Sequence, residues 1–438
     1  MKDPINGLDF SLRQVGPHFA YTTITVPERY VKKLYSQASF AQQSETHTHG
    51  FSRGHTPLSY IEQNFQPHLL EHIKEFLFKY FVISWLYRKI ISNKILIAGE
   101  PRLTDINIGT NQSIQYNFSL TLAQPITLQG WKRLPFKAPK RKNYKDLDRQ
   151  VKNFLRDELK AQKDNATNVI NIGDWVHFSI SILDTEGKDL FEGEGESLWV
   201  RIGFEEADAP FQNVFIGKKI GESFINNNSC LQEYFSSHID THYPFRITII
   251  NFTPYSHFGL EQFKKHFKIR NNQELHLKMI EVFSYRNDLS QRRSTAEDTL
   301  KLLLSRHSFD VPNHLVLRQQ KEILDDIHDN PDYQVYKMQA DFHDKVKKLA
   351  TKQVKEVIFT HQLSYYEGLH ATVDDIKGYL NLTKRPRTKE FVYFEPPKTK
   401  FLGQEIPICS ALLEQCCLLE KTLNHAIFHL TKQRIRTV

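Results

Sequence analysis

The octet Gly50-Phe51-Ser52-Arg53-Gly54-His55-Thr56-Pro57 sets an aromatic ring and a cation between two glycines. Its chemistry is that of docking rather than catalysis. Gly50 and Gly54 admit backbone angles that other residues resist. Pro57 opens a following helix at its first turn, where a missing N–H costs nothing. Phe51 is then displayed beside Arg53 at a tight loop tip, which suits a charged, structured surface. An ordinary helix–loop–helix turn is the alternative for so short a motif. Histidines 47, 49 and 55 flank the octet, and His68 and His72 lie one helical turn apart. No carboxylate or cysteine completes a recognisable ligand set, so neither a metal nor a cofactor is expected. Cys230 stands alone, and Cys409, Cys416 and Cys417 form no CxxC pair on their helical segment, which points to reduced, buried thiols. The basic run Lys137, Lys140, Arg141, Lys142 and Lys145, broken by Pro135 and Pro139, reads as a solvated linker or as a nucleic-acid patch. The net charge of +8 fits an RNA partner or simply a solvated basic surface.

The elements that position these residues are legible in outline. A chain of 438 residues is long enough for roughly three domains, and 40% hydrophobic with 25% charged residues indicates a folded chain rather than a disordered one. Phe19 to Val26 is rich in aromatic and β-branched residues and is expected as a strand. Pro27-Glu28 starts a helix carrying Val31, Leu34 and Tyr35 at helical spacing. Tyr60 to Ile91 reads as one long helix, or as two divided at Pro67. Its charge-free part, Tyr80 to Tyr87, is far short of the ~20 residues that a membrane span needs. With no signal-peptide pattern at the N-terminus either, the expected location is cytoplasmic. Residues Ile114, Tyr116, Phe118, Leu120 and Leu122 alternate with polar ones as a half-buried strand. These elements make an α+β domain over residues 1–130. Residues 131–167 hold the basic run and a charged helix with Leu147, Val151 and Phe154 on one face. Residues 168–252 are β-rich, with Val176, Phe178, Ile180 and Ile182 alternating and a turn at Glu186-Gly187. Residues 253–438 read as helix throughout, with Thr372 and Asp375 as a capping pair and a last helix from Cys409 to Leu430.

The octet resembles the ribosome-docking signature of bacterial trigger factor, Gly-Phe-Arg-x-Gly-x-x-Pro, with Ser52 in place of the family's arginine and Arg53 following at once. Asn213-Val214-Phe215-Ile216-Gly217-Lys218-Lys219-Ile220-Gly221-Glu222 is similar to the Gly-x-x-x-Gly-Glu segment of FKBP-type prolyl isomerases. Val311-Pro312-Asn313-His314-Leu315 resembles the start of a helix in the trigger factor C-terminal domain. The order of α+β head, linker, β-rich insert and helical tail matches that family along almost the whole chain. The resemblance implies an α+β multidomain fold with an FKBP-like β-rich insert and an all-helical C-terminal domain that forms arms around a cradle. Residues after Gly130 would return to the C-terminal domain before the insert begins, and the insert would sit at the far end. It implies docking on the large ribosomal subunit, protein and RNA, near the exit tunnel through Gly50, Phe51, Ser52, Arg53, Gly54 and Pro57. It implies binding of nascent unfolded polypeptides, and a homodimer off the ribosome.

Prolyl isomerisation is the catalytic expectation that the resemblance adds. Rotation about an X–Pro bond faces a barrier of ~18–20 kcal/mol. An apolar pocket lowers it by binding the twisted imide better than either planar form. The resemblance assigns that pocket to Phe178, Phe191, Glu192, Leu198, Phe211, Tyr234 and Phe245. Four departures bear on it: Asp208 stands where the family has an aliphatic residue whose N–H meets substrate, Pro210 and Val214 replace glycines, and Leu190 is an insertion. Plain core packing is the alternative for each aromatic. The helical tail interleaves apolar and charged residues without a phosphate-binding loop, as an ATP-independent binder of unfolded chains would. Two other functions remain open from sequence: a free FKBP-type isomerase whose helical arms recruit substrate, and an RNA-binding protein using the Lys137–Lys145 run.

Overall fold

The computed structural model describes residues 7–108, 113–140, 146–165, 167–191, 193, 195–236, 243–328 and 330–432. Glu192, Arg141, Lys142 and Lys145 lie outside them.

The first domain is a four-stranded antiparallel sheet covered by helices. Strands β1 (Asp9–Gln14) and β2 (Phe19–Val26) form a hairpin, followed by α1 (Glu28–Glu45), α2 (Leu58–Asn64), α3 (Gln66–Leu77) and α4 (Ile83–Ser92), then β3 (Arg102–Ile108) and β4 (Ile114–Thr121). The strand order is β1-β2-β4-β3. Ala20, Ile24 and Val26 of β2 pair with Leu120, Tyr116 and Ile114 of β4, so one face is apolar apart from the buried Thr22 opposite Phe118. Pro67 falls in the first turn of α3, and the chain breaks at Phe65, separating α2 from α3. A five-residue π-turn, Phe78–Val82, joins α3 to α4. The widened turn brings Tyr80, Phe81 and Val82 all into the interior.

The second unit is a five-stranded antiparallel sheet built from β5 (Trp175–Ile182), β6 (Glu196–Arg201), β7 (Ser223–Asn226) and β8 (Phe245–Thr253), with helices α5 (Leu147–Asp164) before it and α6 (Ala209–Phe215) and α7 (Ser229–Phe235) within it. The C-terminal region contributes α8 (Leu260–Phe267), α9 (Asn272–Phe283), the β9–β10 ribbon (Tyr285–Arg286, Leu289–Ser290), α10 (Gln291–Arg306), α11 (Asn313–His328), α12 (Tyr333–Lys337), α13 (Phe342–Tyr366), α14 (Val373–Leu382), α15 (Pro386–Lys389), the β11–β12 hairpin (Lys400–Phe401, Gln404–Glu405), β13 (Ile408–Cys409) and α16 (Ser410–Lys432). The tail is therefore not helix throughout. Cys409 is a strand residue, and β13 adds an edge to the β-rich sheet, whose order is β13-β6-β5-β8-β7. The Thr372 hydroxyl accepts from the Asp375 N–H while the Asp375 carboxylate accepts from the Thr372 N–H, capping α14.

Both faces of the β-rich sheet are buried. Val176, Phe178 and Ile180 share one core with the α3–α4 helices of the first domain. Trp175 and Trp199 face a second core made by α8, α9, α14 and α16. The expectation of an insert standing at the far end is thus corrected: the sheet lies between the first domain and the helical tail. Helix α5 packs on α9, with Leu147 and Val151 in the tail's core. Helices α11 and α13 pair along their length around Val316, Ile323, Phe342 and Val346.

Candidate functional site

Loop 50–57 sits between α1 and α2 with its tip in solvent. Gly50 and Gly54 have φ of +91° and +79°, the left-handed region that the sequence anticipated. Phe51 is 38% exposed, its ring 5.7 Å from that of Tyr60. Ser52 and Arg53 are exposed, and Arg53 reaches Glu45 at 3.3 Å. Thr56 anchors the loop: it is fully buried, its hydroxyl shares a hydrogen bond with that of Thr48, and its carbonyl accepts from the Gln43 amide. The Phe51 N–H donates to the Thr48 carbonyl at 3.1 Å and the His55 N–H to the Ser52 carbonyl at 3.0 Å. Glycine geometry and an internal anchor thus hold an aromatic and a cation outward on a shaped tip. His72 turns inward instead, its Nε2 2.7 Å from the Tyr243 hydroxyl, while His68 is exposed, so that pair does not converge. Among the described residues no three His, Cys, Asp or Glu side chains stand together as a metal site.

The described residues of the implied isomerase pocket share one core, but the centre of that core is occupied. Phe178, Leu198, Phe211 and Phe245 are buried to 2% exposure or less, Phe191 to 6%, and Tyr234 packs at the edge. The α3–π–α4 helix of the first domain fills the space against them. The Phe76 ring lies 4.9 Å from Phe235 and parallel to Phe245 at 6.5 Å. Tyr80 lies 5.8 Å from Phe191, and Phe81 meets the same ring edge-on at 4.8 Å. Polar bonds latch this plug. The Tyr80 hydroxyl donates to the Ile180 carbonyl at 3.0 Å, Lys79 donates to the Tyr234 carbonyl at 2.7 Å, and Lys33 donates to the Leu190 carbonyl at 3.3 Å. Deeper in, the Ser84 hydroxyl bonds the Glu196 carboxyl and lies 2.9 Å from the Cys409 sulfur, tying α4, β6 and β13 together. Burial pushes the Glu196 carboxyl up to about 7, against the opposing hydrogen bond from Ser84 and the charge of Arg88.

Asp208 shows what its departure does. Its backbone N–H donates to the Glu205 carbonyl at 3.0 Å, so that donor is committed within the chain. Its carboxylate accepts from the Glu205 and Glu405 N–H groups and so grips the β11–β12 hairpin of the tail. Sequence reasoning missed Phe76, Tyr80 and Phe81 as partners of the aromatic wall. The available signal was the charge-free run around Tyr80, since a helix apolar on all sides is one buried on all sides.

An α+β first domain with an outward loop, a five-stranded β-rich sheet and a largely helical tail make up a multidomain α+β fold. Residues 10–154 match the family model described as bacterial trigger factor protein. The trigger factor of Haemophilus ducreyi is 22% identical over 223 residues, covering 50% of this chain and 49% of that relative. The trigger factor of Campylobacter jejuni subsp. jejuni is 21% identical over 234 residues, covering 53% and 52%. The chain spans about half the length of the curated relatives it matches. A solved structure of a trigger factor chaperone aligns over 96% of this chain and all of its own at 13% identity, with a TM-score of 0.36, too low to bear on the arrangement. The family likeness thus rests on the first third of the chain, residues 10–154.

Proposed function

We propose that the protein is a ribosome-associated, ATP-independent chaperone of the cytoplasm that binds nascent, unfolded polypeptides. The observation that carries this reading is loop 50–57, where Phe51 and Arg53 are held outward within the very stretch that matches the trigger factor model. The partner is the large ribosomal subunit, whose surface of RNA and protein suits an aromatic next to a cation. Ser52 in the position of the family's arginine weakens that contact by one charge and leaves Arg53 to make it. Prolyl isomerisation belongs to this proposal only for an opened state, since Phe76, Tyr80 and Phe81 occupy the aromatic wall in the closed one. Among the described residues no helix is long and apolar enough to cross a membrane.

The test is co-sedimentation with ribosomes of wild type and a Phe51→Ala/Arg53→Ala double variant. Wild type should bind in a salt-sensitive manner, and the variant should lose at least tenfold in affinity, about the effect of one buried aromatic and one charge. Unchanged binding by the variant would refute the assignment of the loop. Absence of wild-type binding would refute ribosome association itself.

A further inference from the structure

A cavity of about 240 Å³ opens at the junction of the β-rich sheet and the helical tail, away from both the loop and the aromatic wall. Trp175 at the start of β5, Arg201 at the end of β6, Tyr255, and Tyr379 on α14 form its sides, with Thr383, Lys384 and Lys389 beyond α14. The charged side chains among its lining residues are all cations, and none is a carboxylate. Lys389 is exposed at the rim. Arg201 lies 5.5 Å from the Tyr255 ring and is only loosely paired with Glu405, at 3.8 Å.

Lys384 is the unusual member. It is 8% exposed, yet its ties to Asp174 and Glu158 act through space, without a hydrogen bond to either. Both carboxylates are committed elsewhere. Asp174 accepts from the Tyr255 and Asn171 N–H groups at 2.7 and 2.9 Å. Glu158 accepts from Arg385 at 2.9 Å and from the Phe258 N–H at 2.6 Å. The Lys384 stem is buried while its ammonium, not sealed from solvent, meets the cavity that it lines, so the charge there is free to take an anion from solution.

We infer that this cavity is a binding site for a small organic anion, a carboxylate or phosphate monoester on a single planar ring. The anion would pair with Lys384 and Arg201, with Lys389 at the rim, while the ring lies among Trp175, Tyr255 and Tyr379. The size agrees: a cavity of about 150 Å³ accepts benzene, which leaves room here for one ring and one charged group. The site is independent of ribosome docking, so its failure and the failure of the chaperone reading are separable.

Burial, with Arg385 adding repulsion, lowers the Lys384 amine to about 7. An anion favours the charged form, so binding near neutral pH takes up part of a proton per ligand.

The experiment is isothermal titration calorimetry of the full chain with benzoate and with phenyl phosphate. It is run in two buffers of different ionisation enthalpy, with inorganic phosphate as a third probe. One ring-bearing probe should bind with proton uptake and outcompete inorganic phosphate, and the better of the two names the headgroup. Lys384→Met, similar in volume and without the charge, should fold at least as stably as wild type. It should lose about tenfold or more in affinity together with the proton uptake. Silence of both ring probes at millimolar concentration, equal binding by Lys384→Met, or preference for inorganic phosphate would each overturn the assignment. Arg201→Gln, which leaves Lys384 in place, should weaken binding but retain proton uptake, and unaltered affinity there would remove Arg201 from the site.

Discussion

Replacing Glu196 by glutamine tests whether the closed junction between the first domain and the β-rich sheet exists in solution. Glu196 is 7% exposed and bonds Ser84 of the α4 helix across the interface. Burial holds its carboxyl up to about 7, against 4.5 for a free glutamate side chain. Between those pH values the folded chain keeps a proton that the unfolded chain has lost. Stability from this group is therefore full below pH 4.5 and declines as pH rises through 7, by ~1.4 kcal/mol per pH unit and about 3 kcal/mol in all. Glutamine mimics the protonated acid at every pH. Glu196→Gln should match wild type near pH 4.5 and exceed it by about 3 kcal/mol at pH 8. Glu420, also held up to about 7 by burial, gives wild type a second slope of the same sign, so the difference between the two proteins is the informative quantity. Urea denaturation at four pH values from 4.5 to 8 measures it. A difference that stays flat with pH would mean that Glu196 is solvated, and the α3–α4 plug would then not be seated as described.

Phe76→Ala should destabilise the chain by about 3–5 kcal/mol, because the ring is fully buried against Phe235, Tyr243 and Phe245. If the β-rich domain holds a latent isomerase, the same variant should turn over a proline-containing tetrapeptide faster than wild type, and equal rates at matched folded fraction would count against an occluded site. Thr372→Ala removes the cap of α14 and should cost about 1 kcal/mol in thermal or urea denaturation, with no change in ribosome co-sedimentation.

Legibility from sequence followed how many faces each element buries. Strands β2 and β4 were readable because one face is core and the other is not, which writes a period of two into the sequence. Strands β1 and β3 flank them with most side chains in solvent, and only Phe10, Leu103 and Ile106 reach the core, so their apolar pattern is short and weak. Strand β13 is two residues long and owes its conformation to pairing with Leu198 and Trp199, some 210 positions earlier in the chain, which no local pattern records. Pro67 and the Thr372–Asp375 cap were legible because their effects are confined to a single turn.

The candidate sites divide along the same line. The geometry of loop 50–57 was readable since its requirements are local: two positive φ angles, a proline, and side chains that face solvent. The aromatic wall was not, because a pocket and a core are lined by the same residues, and the difference lies in what stands opposite them. Here the opposing residues are Phe76, Tyr80 and Phe81, about 100 positions or more before most of the wall, on a helix whose all-round apolar surface has two sheets to serve. Phe78 packs on Tyr116 and Phe118 of the first sheet while Phe76 packs on Phe235 and Phe245 of the second. One helix thus supplies core to both, and freeing the wall for a proline substrate would expose Phe76, Tyr80 and Phe81 to water. At about 2 kcal/mol or more for each large side chain, that opening is not a spontaneous fluctuation of appreciable population. Isomerase activity in this chain therefore requires a partner that covers the released helix, and the ribosome or an unfolded client meets that requirement only if it binds α3–α4 in preference to the sheet.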